Sequence, residues 1–281
     1  MYVKAYAKIN LFLDVLSKRE DGYHDLNMVM LPLELHDSIE IETSPILSDS
    51  FITTDHVDLQ VTKYNLINST LKEMKKRYGI KQNFIIKVHK EIPISAGLGG
   101  GSSNAAAVIK AVKALTKLKL SKEEEIDLGT SLGADVPYCL MNVPAHVEGI
   151  GEKVTPIKMK KRYEVLLIKP SQGLSTKKVF ELSDTLILDH SEIDGVITAL
   201  EKGDDDLLGK SLFNSLEKAS ISMVPEIQKV KDELKAAGFK LVLMSGSGSS
   251  VYALTTNKKF AQAKYHEFER KGYEVYLTKT L

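Results

Sequence analysis

Cysteine is nearly missing: the single thiol in 281 residues, Cys139, cannot close an intramolecular disulfide or build a multi-cysteine zinc site. Net charge is nearly missing too. The 38 basic residues set against 37 acidic ones leave +1, which removes the bulk attraction that a nucleic-acid or anionic-membrane binder carries. Any anionic ligand must then be held by a local device. No stretch approaches the ~18 apolar residues of a membrane span. The first twenty residues carry Lys4, Lys8 and Asp14 through their apolar positions and do not read as a signal peptide. Together these absences predict a cytoplasmic protein in a reducing setting, with neither nucleic acid nor membrane as partner.

What is present is enough apolar material, 43% of residues, for real cores, beside 27% charge for a solvated surface. The length suits about two compact units at ~150 residues each. Val3 to Leu16 reads as a strand running into the polar turn Arg19 to His24, and Ser38 to Thr43 alternates as another strand. Ile67, Leu71, Met74 and Tyr78 form a helical stripe stopped by Gly79. Phe84, Ile86 and Val88 alternate, a glycine-rich segment follows, and a helix is predicted from Asn104 to Leu118. Ser121 with Glu124 is a capping box for the next helix, ending near Leu132-Gly133, and short strands follow at 146–148 and 153–157. The second half reads strand (163–169), helices (around 179, 193–200, 207–216 and 225–237), strands (240–244 and 250–254), helix (258–271), strand (273–278). That is the split βαβ order of a ferredoxin-like domain. Pro156 and the basic run from Lys158 to Arg162 place the boundary there, giving domains 1–157 and 158–281.

The strongest local feature is Gly97-Leu98-Gly99-Gly100-Gly101-Ser102-Ser103, placed after a strand and before a helix. Four glycines in five residues let backbone N–H groups converge, and a helix N-terminus adds roughly half a positive charge. The segment therefore predicts a phosphate site, the alternative being a flexible turn that holds no ligand. It is not a dinucleotide fingerprint, because Ser102 stands where the third glycine belongs, and the Walker pattern fails because Asp204 precedes Gly209-Lys210-Ser211. Neither HRD nor DFG occurs. Asp135, in Gly133-Ala-Asp-Val-Pro137, is a candidate general base or metal ligand, or an ordinary turn aspartate. Lys8 and Asn10 share one strand face. Gly22-Tyr23-His24 offers an aromatic ring and an imidazole suited to a base, and Ser245-Gly246-Ser247-Gly248 is either a second glycine loop or only a hairpin turn. Arg270 ends the HExxH-like run at His266, so no zinc protease site exists there, and Cys139 has no assigned role.

In this order, Lys8-Ile9-Asn10, Gly22-Tyr23-His24, the 97–103 loop, Gly133 to Pro137 and Ser245 to Gly248 resemble the GHMP kinase superfamily over nearly the whole chain. The Ala7 to Asn10 strand and the Asp21 to His24 loop resemble most the members that phosphorylate the 2-hydroxyl of a cytidine-diphosphate-linked methylerythritol in the non-mevalonate route to isoprenoid precursors. The fold implied is α+β: an N-terminal ATP-binding lobe and a ferredoxin-like C-terminal lobe, with the active site between them. The resemblance makes Asp135 the general base and Lys8 its charge-stabilising partner. It puts the ATP phosphates on Gly97 to Ser103 and the adenine near Asn65, Leu66 and Lys90. Asn10, Tyr23, His24 and Phe180 would take the second substrate, with Tyr23 and Phe180 sandwiching cytosine while His24 bonds its edge. ATP as co-substrate, with Mg2+, is implied. The rivals are a GHMP kinase for a mevalonate-like or homoserine-like alcohol, and a nucleotide-binding homologue without catalysis.

Overall fold

Strand β1 (Tyr2–Lys18) is buried without interruption from Ala7 to Val15, so both of its faces are covered. Strand β2 (His24–Ser44) is likewise buried from Met28 to Leu33. Both strands run through each of the two compact units into which the chain packs. One unit comprises Met1–Ala7, Leu35–Ile92 and Gly99–Asn142; the other comprises Lys8–Glu34, Pro93–Leu98 and Val143–Leu281. The computed structural model describes residues 1–56 and 65–281.

In the first unit, the end of β2 pairs antiparallel with β4 (Asn83–His89), from Ser38 opposite His89 to Ser44 opposite Asn83. Strand β3 (Phe51–Thr54) lies parallel to β4 on its other side. Between β3 and β4 comes α1 (Leu66–Tyr78). Asn65 caps it by accepting the Ile67 N–H at 2.9 Å, and Gly79 ends it in the left-handed region at φ 64°. Strand β4 (Asn83–His89) buries Phe84, Ile86 and Val88, as alternation requires. Helix α2 (Gly100–Thr116) is buried on nearly all sides from Ser103 to Val112 and packs against α1 and against α4 (Val136–Met141). Helix α3 (Lys122–Leu132) opens with both halves of the Ser121–Glu124 capping box. A short α4 (Val136–Met141) follows, with proline in its first turn.

In the second unit, β5 (Ala145–Gly149) pairs with β2 on one side and with β6 (Lys153–Pro156) on the other. After β7 (Glu164–Lys169) come α5 (Thr176–Ser183), α6 (Asp194–Lys202) and α7 (Asp205–Ser211). Then follow β8 (Phe213–Asn214), α8 (Glu217–Met223) and α9 (Glu226–Ala236). Strands β9 (Leu241–Met244) and β10 (Val251–Thr255), helix α10 (Lys258–Arg270) and β11 (Glu274–Lys279) complete the chain. The antiparallel sheet has the order β11-β7-β10-β9, with α9 and α10 packed on it. This is the ferredoxin-like arrangement read from the element order.

Several boundaries move from their expected places. The glycine-led helix starts at Gly100, not Asn104, because a first helical turn needs no i−4 partners and Gly99, at φ 70°, supplies the turn into it. The helix expected over 207–216 stops at Ser211. Phe213 and Asn214 instead pair parallel with Phe12 and Leu13 of β1, so tertiary pairing overrides the local period. The first half of β2 shows no alternation because both of its faces are covered, and the segment after Asp135 is helical rather than merely proline-fixed. Ser121→Ala should lower stability by about 0.5–2 kcal/mol in urea unfolding, with Ser121→Asp retaining most of it; equal losses in both variants would remove the cap from the account.

Candidate active site

Gly97 and Gly246 bring two loops of the second unit to closest approach. A Cβ on Gly97 would lie 2.1 Å from the Ser245 carbonyl oxygen, and Gly97 has φ 74°. The Ser245 hydroxyl donates to the Gly97 carbonyl at 3.0 Å, and the Ser250 N–H donates to the Ala96 carbonyl at 3.3 Å. Ser245 to Ser250 joins β9 to β10 and is buried throughout. It is a hairpin connection that also forms a wall for the first glycine loop. Lys8 and Asn10 lie against the same wall: a Cβ on Gly246 would be 3.1 Å from Lys8 Nζ and 3.5 Å from Asn10 Oδ1. Lys8 Nζ donates to Asn10 Oδ1 at 2.7 Å, and the Lys8 N–H donates to the Leu98 carbonyl at 3.0 Å. The shared strand face of Lys8 and Asn10 therefore meets the second loop. Asn214 pins that loop, donating from Nδ2 to the carbonyls of Met244 (3.1 Å) and Gly246 (2.8 Å). Tyr252 anchors β1 by donating to the Asn10 carbonyl at 2.8 Å.

Elsewhere in this unit, Tyr23 is 54% exposed and its N–H donates to Asp21 Oδ1 at 3.0 Å. His24 is buried. Its ring stacks on Phe180 with centroids 4.8 Å apart and 30° between planes, and its Nε2 lies 2.6 Å from Asp184 Oδ1. Phe180 is thus brought against the His24 ring.

In the first unit, Gly99 turns the chain and Gly100, Gly101, Ser102 and Ser103 form the opening turn of α2, which has no side-chain cap. A 17-residue helix therefore begins with uncapped N–H groups and the positive end of its dipole. A Cβ on Gly100 would lie 3.3 Å from Lys90 Nζ, so an ammonium flanks this helix start. Lys90 also donates to the buried Asp37 carboxylate, whose other oxygen accepts the N–H groups of Glu91 and Ile92, both at 2.9 Å. Asn65 caps α1, and Leu66 is its first residue. The acidic turn reaches the same region: a Cβ on Gly133 would lie 3.9 Å from Ser102 Oγ. Asp135 is half-buried at the N-terminus of α4, and its carboxylate does not cap that helix. Where α2 packs on α4, the buried Ser103 Oγ, Asn104 Oδ1 and Tyr138 hydroxyl have no hydrogen-bond partner among the described residues. Burial pushes the Tyr138 hydroxyl pKa well up. Buried polar atoms of this kind cost free energy unless bonded, which marks this junction as retaining unused polar capacity.

The GHMP kinase N-terminal domain model matches residues 65–149, and the GHMP kinase C-terminal model matches residues 196–274. A 4-diphosphocytidyl-2-C-methyl-D-erythritol kinase from Clostridium kluyveri is 40% identical over 282 aligned residues, covering 100% of both chains. One from Clostridium beijerinckii is 39% identical, again over 100% of both. This chain belongs to the 4-diphosphocytidyl-2-C-methyl-D-erythritol kinase family. A crystal structure titled as a 4-(cytidine 5'-diphospho)-2C-methyl-D-erythritol kinase superposes with TM-score 0.82 and 28% identity, covering 100% of this chain and 99% of the other. Membership of this family makes the chain an ATP-dependent small-molecule kinase of the two-domain GHMP fold.

No described helix is long and apolar enough to cross a membrane. Among the described residues no group of three or more His, Cys, Asp or Glu is placed to hold a metal ion. Asp37, Asn214, Tyr252 and Asp184 escaped sequence reasoning. Each acts through a partner tens to hundreds of residues away, and none sits in a local pattern. Gly97→Ala should destabilise by at least about 1–2 kcal/mol in urea unfolding, from left-handed strain alone. Gly101→Ala, with nothing within 4 Å of its added Cβ, should leave stability unchanged or slightly raised. Equal losses in the two variants would refute the close approach as the reason for Gly97.

Proposed function

We propose that this chain transfers the γ-phosphoryl group of ATP to the 2-hydroxyl of 4-diphosphocytidyl-2-C-methyl-D-erythritol, a step toward isoprenoid precursors. The observation that carries this reading is the end-to-end similarity, at 40% identity, to relatives named for that activity. In the transfer, the 2-hydroxyl oxygen bonds to the γ-phosphorus while the bond to the β-bridging oxygen breaks, and ADP leaves with the electron pair. Phosphoryl transfer asks for positioning and charge neutralisation more than for covalent help. Gly97 to Ser103 bind the phosphates, with backbone N–H groups and the start of α2 supplying positive potential; the uncapped helix start supports this. Asn65, Leu66 and Lys90 lie toward the adenine, Asn65 doing so while also capping α1.

Asp135 takes the proton from the 2-hydroxyl as general base, and Lys8 neutralises charge on the transferring phosphoryl group. The contact of Lys8 with Asn10 and with the Gly246 loop supports a fixed ammonium position. Ser245 to Gly248 hold that position from the other side. Asn10, Tyr23, His24 and Phe180 receive the cytidine-bearing substrate. The exposed Tyr23 ring offers a stacking face and His24 reads the base edge, with Phe180 backing the His24 ring. Residues 1–157 and 158–281 form the N- and C-terminal domains of this kinase, a division supported by one family match falling inside each.

An ADP-release assay should show turnover of the cytidine-linked substrate with ATP and none of free methylerythritol, mevalonate or homoserine; better turnover of mevalonate would leave only the superfamily assignment. Asp135→Asn should lower kcat by about 10²–10⁴ with the KM for ATP nearly unchanged, the scale of a lost general base. Wild-type kcat in that variant would remove Asp135 from the chemistry. Tyr23→Ala with His24→Ala should raise the KM for the cytidine substrate about tenfold or more, the scale of lost base stacking, and leave that for ATP in place. Equal changes in both KM values would refute this division of labour.

A further inference from the structure

Asp184 is the C-terminal cap of α5, and its N–H donates to the Phe180 carbonyl at 3.0 Å. One helix end therefore presents both the ring that stacks on His24 and the carboxylate that meets its Nε2. The stacking fixes the plane of the imidazole and the hydrogen bond fixes its rotation within that plane. Lys18 Nζ donates to the second carboxylate oxygen, Oδ2, at 2.6 Å, so both oxygens of Asp184 are held. Hydrogen bonds from Lys18, and then from His24, draw the Asp184 carboxyl below its ordinary pKa and keep it ionised. An ionised carboxylate only accepts. The proton in the 2.6 Å contact therefore sits on His24 Nε2. In a neutral imidazole the other nitrogen, Nδ1, is then bare and can only accept.

Cytosine and uracil differ at the exocyclic group of carbon 4: an amine that donates in the first, a carbonyl that accepts in the second. We propose that Asp184 is a positioning residue that sets base specificity, holding His24 as the Nε2–H tautomer so that its bare Nδ1 accepts from a cytosine amine and leaves a uracil carbonyl unpaired. This rests on the reading of His24 as the base-edge residue. A site arranged to hydrogen-bond one group discriminates strongly against the analogue that cannot form the bond. Nothing in the residues around His24 reveals this partner, because Asp184 lies 160 positions away in the chain.

The experiment compares the CDP-linked substrate with its UDP-linked counterpart, both with ATP, in wild type, Asp184→Asn, Asp184→Glu and His24→Ala. The asparagine amide can either accept from or donate to Nε2, so it no longer fixes the tautomer. Asp184→Asn should cut the cytidine-over-uridine ratio of kcat/KM by about tenfold or more, acting through the KM of the cytidine substrate while the KM for ATP and kcat hold. Asp184→Glu should restore part of the ratio. A merely structural role would lower both nucleotides' kcat/KM alike and leave the ratio in place, which overturns the proposal. Wild-type 15N spectra of the His24 imidazole should show a protonated Nε2 and a bare Nδ1; a proton on Nδ1, or on both nitrogens, also overturns it, and this readout does not depend on any variant folding. His24→Ala separates the two readings. An unchanged cytidine KM there refutes His24 as the base-edge residue, whereas a raised KM with an unaltered ratio in Asp184→Asn refutes Asp184 alone.

Discussion

The close approach of backbone to backbone at Gly97 is the constraint on which most of the second unit's site depends. A carbonyl 2.1 Å from where a Cβ would stand excludes every side chain, and a φ of 74° independently favours glycine. With glycine there, Ser245 can bond the Gly97 carbonyl, and the buried loop that carries Ser245 sits close enough for Gly246 to touch Lys8 and Asn10. Asn214 completes the arrangement by holding Met244 and Gly246 from the other side. Three segments far apart in the chain thereby become one rigid wall. The lysine side chain, entropically costly to fix, is held in a single place by buried contacts.

The near-zero net charge acquires a local meaning beside this geometry. Positive groups stand at the uncapped start of α2 and at Lys90 in the first unit, and at the buried Lys8 in the second. Lys90 is itself balanced by Asp37, which two backbone N–H groups also hold in place. Burying such a pair contributes little net stability but fixes geometry well, and removing one partner leaves the other uncompensated. A phosphate met by helix N–H groups is neutralised without raising the overall charge.

Legibility in the sequence followed the range of the interactions. The stripe of α1, its Asn65 and Gly79 ends, the Ser121 capping box and the alternating β4 were all readable, since helix periods, caps and half-buried strands are decided within a few residues. The first half of β2 was not readable, because a strand covered on both faces loses alternation. Neither was β8, whose two residues are strand only because β1 lies alongside. Among the candidate site residues, the glycine loop, Asp135, Lys8 and His24 stood out by type and spacing. Their supports, Asp37, Asn214, Tyr252 and Asp184, did not, since a supporting side chain is chosen by what it faces and carries no motif of its own.

The sequence by itself determined the family, the order of most elements and the chemistry on offer: glycines before a helix, one acidic turn, a lysine and an asparagine on one strand face, and an aromatic-imidazole loop. Only the tertiary structure decided which of these groups meet. It placed Lys8 against Gly246 and Phe180 on His24, and it gave His24 a carboxylate partner held in turn by Lys18. The reason is physical. Hydrogen bonds and ring contacts act over a few ångströms of space, whereas sequence pattern records only neighbours along the chain.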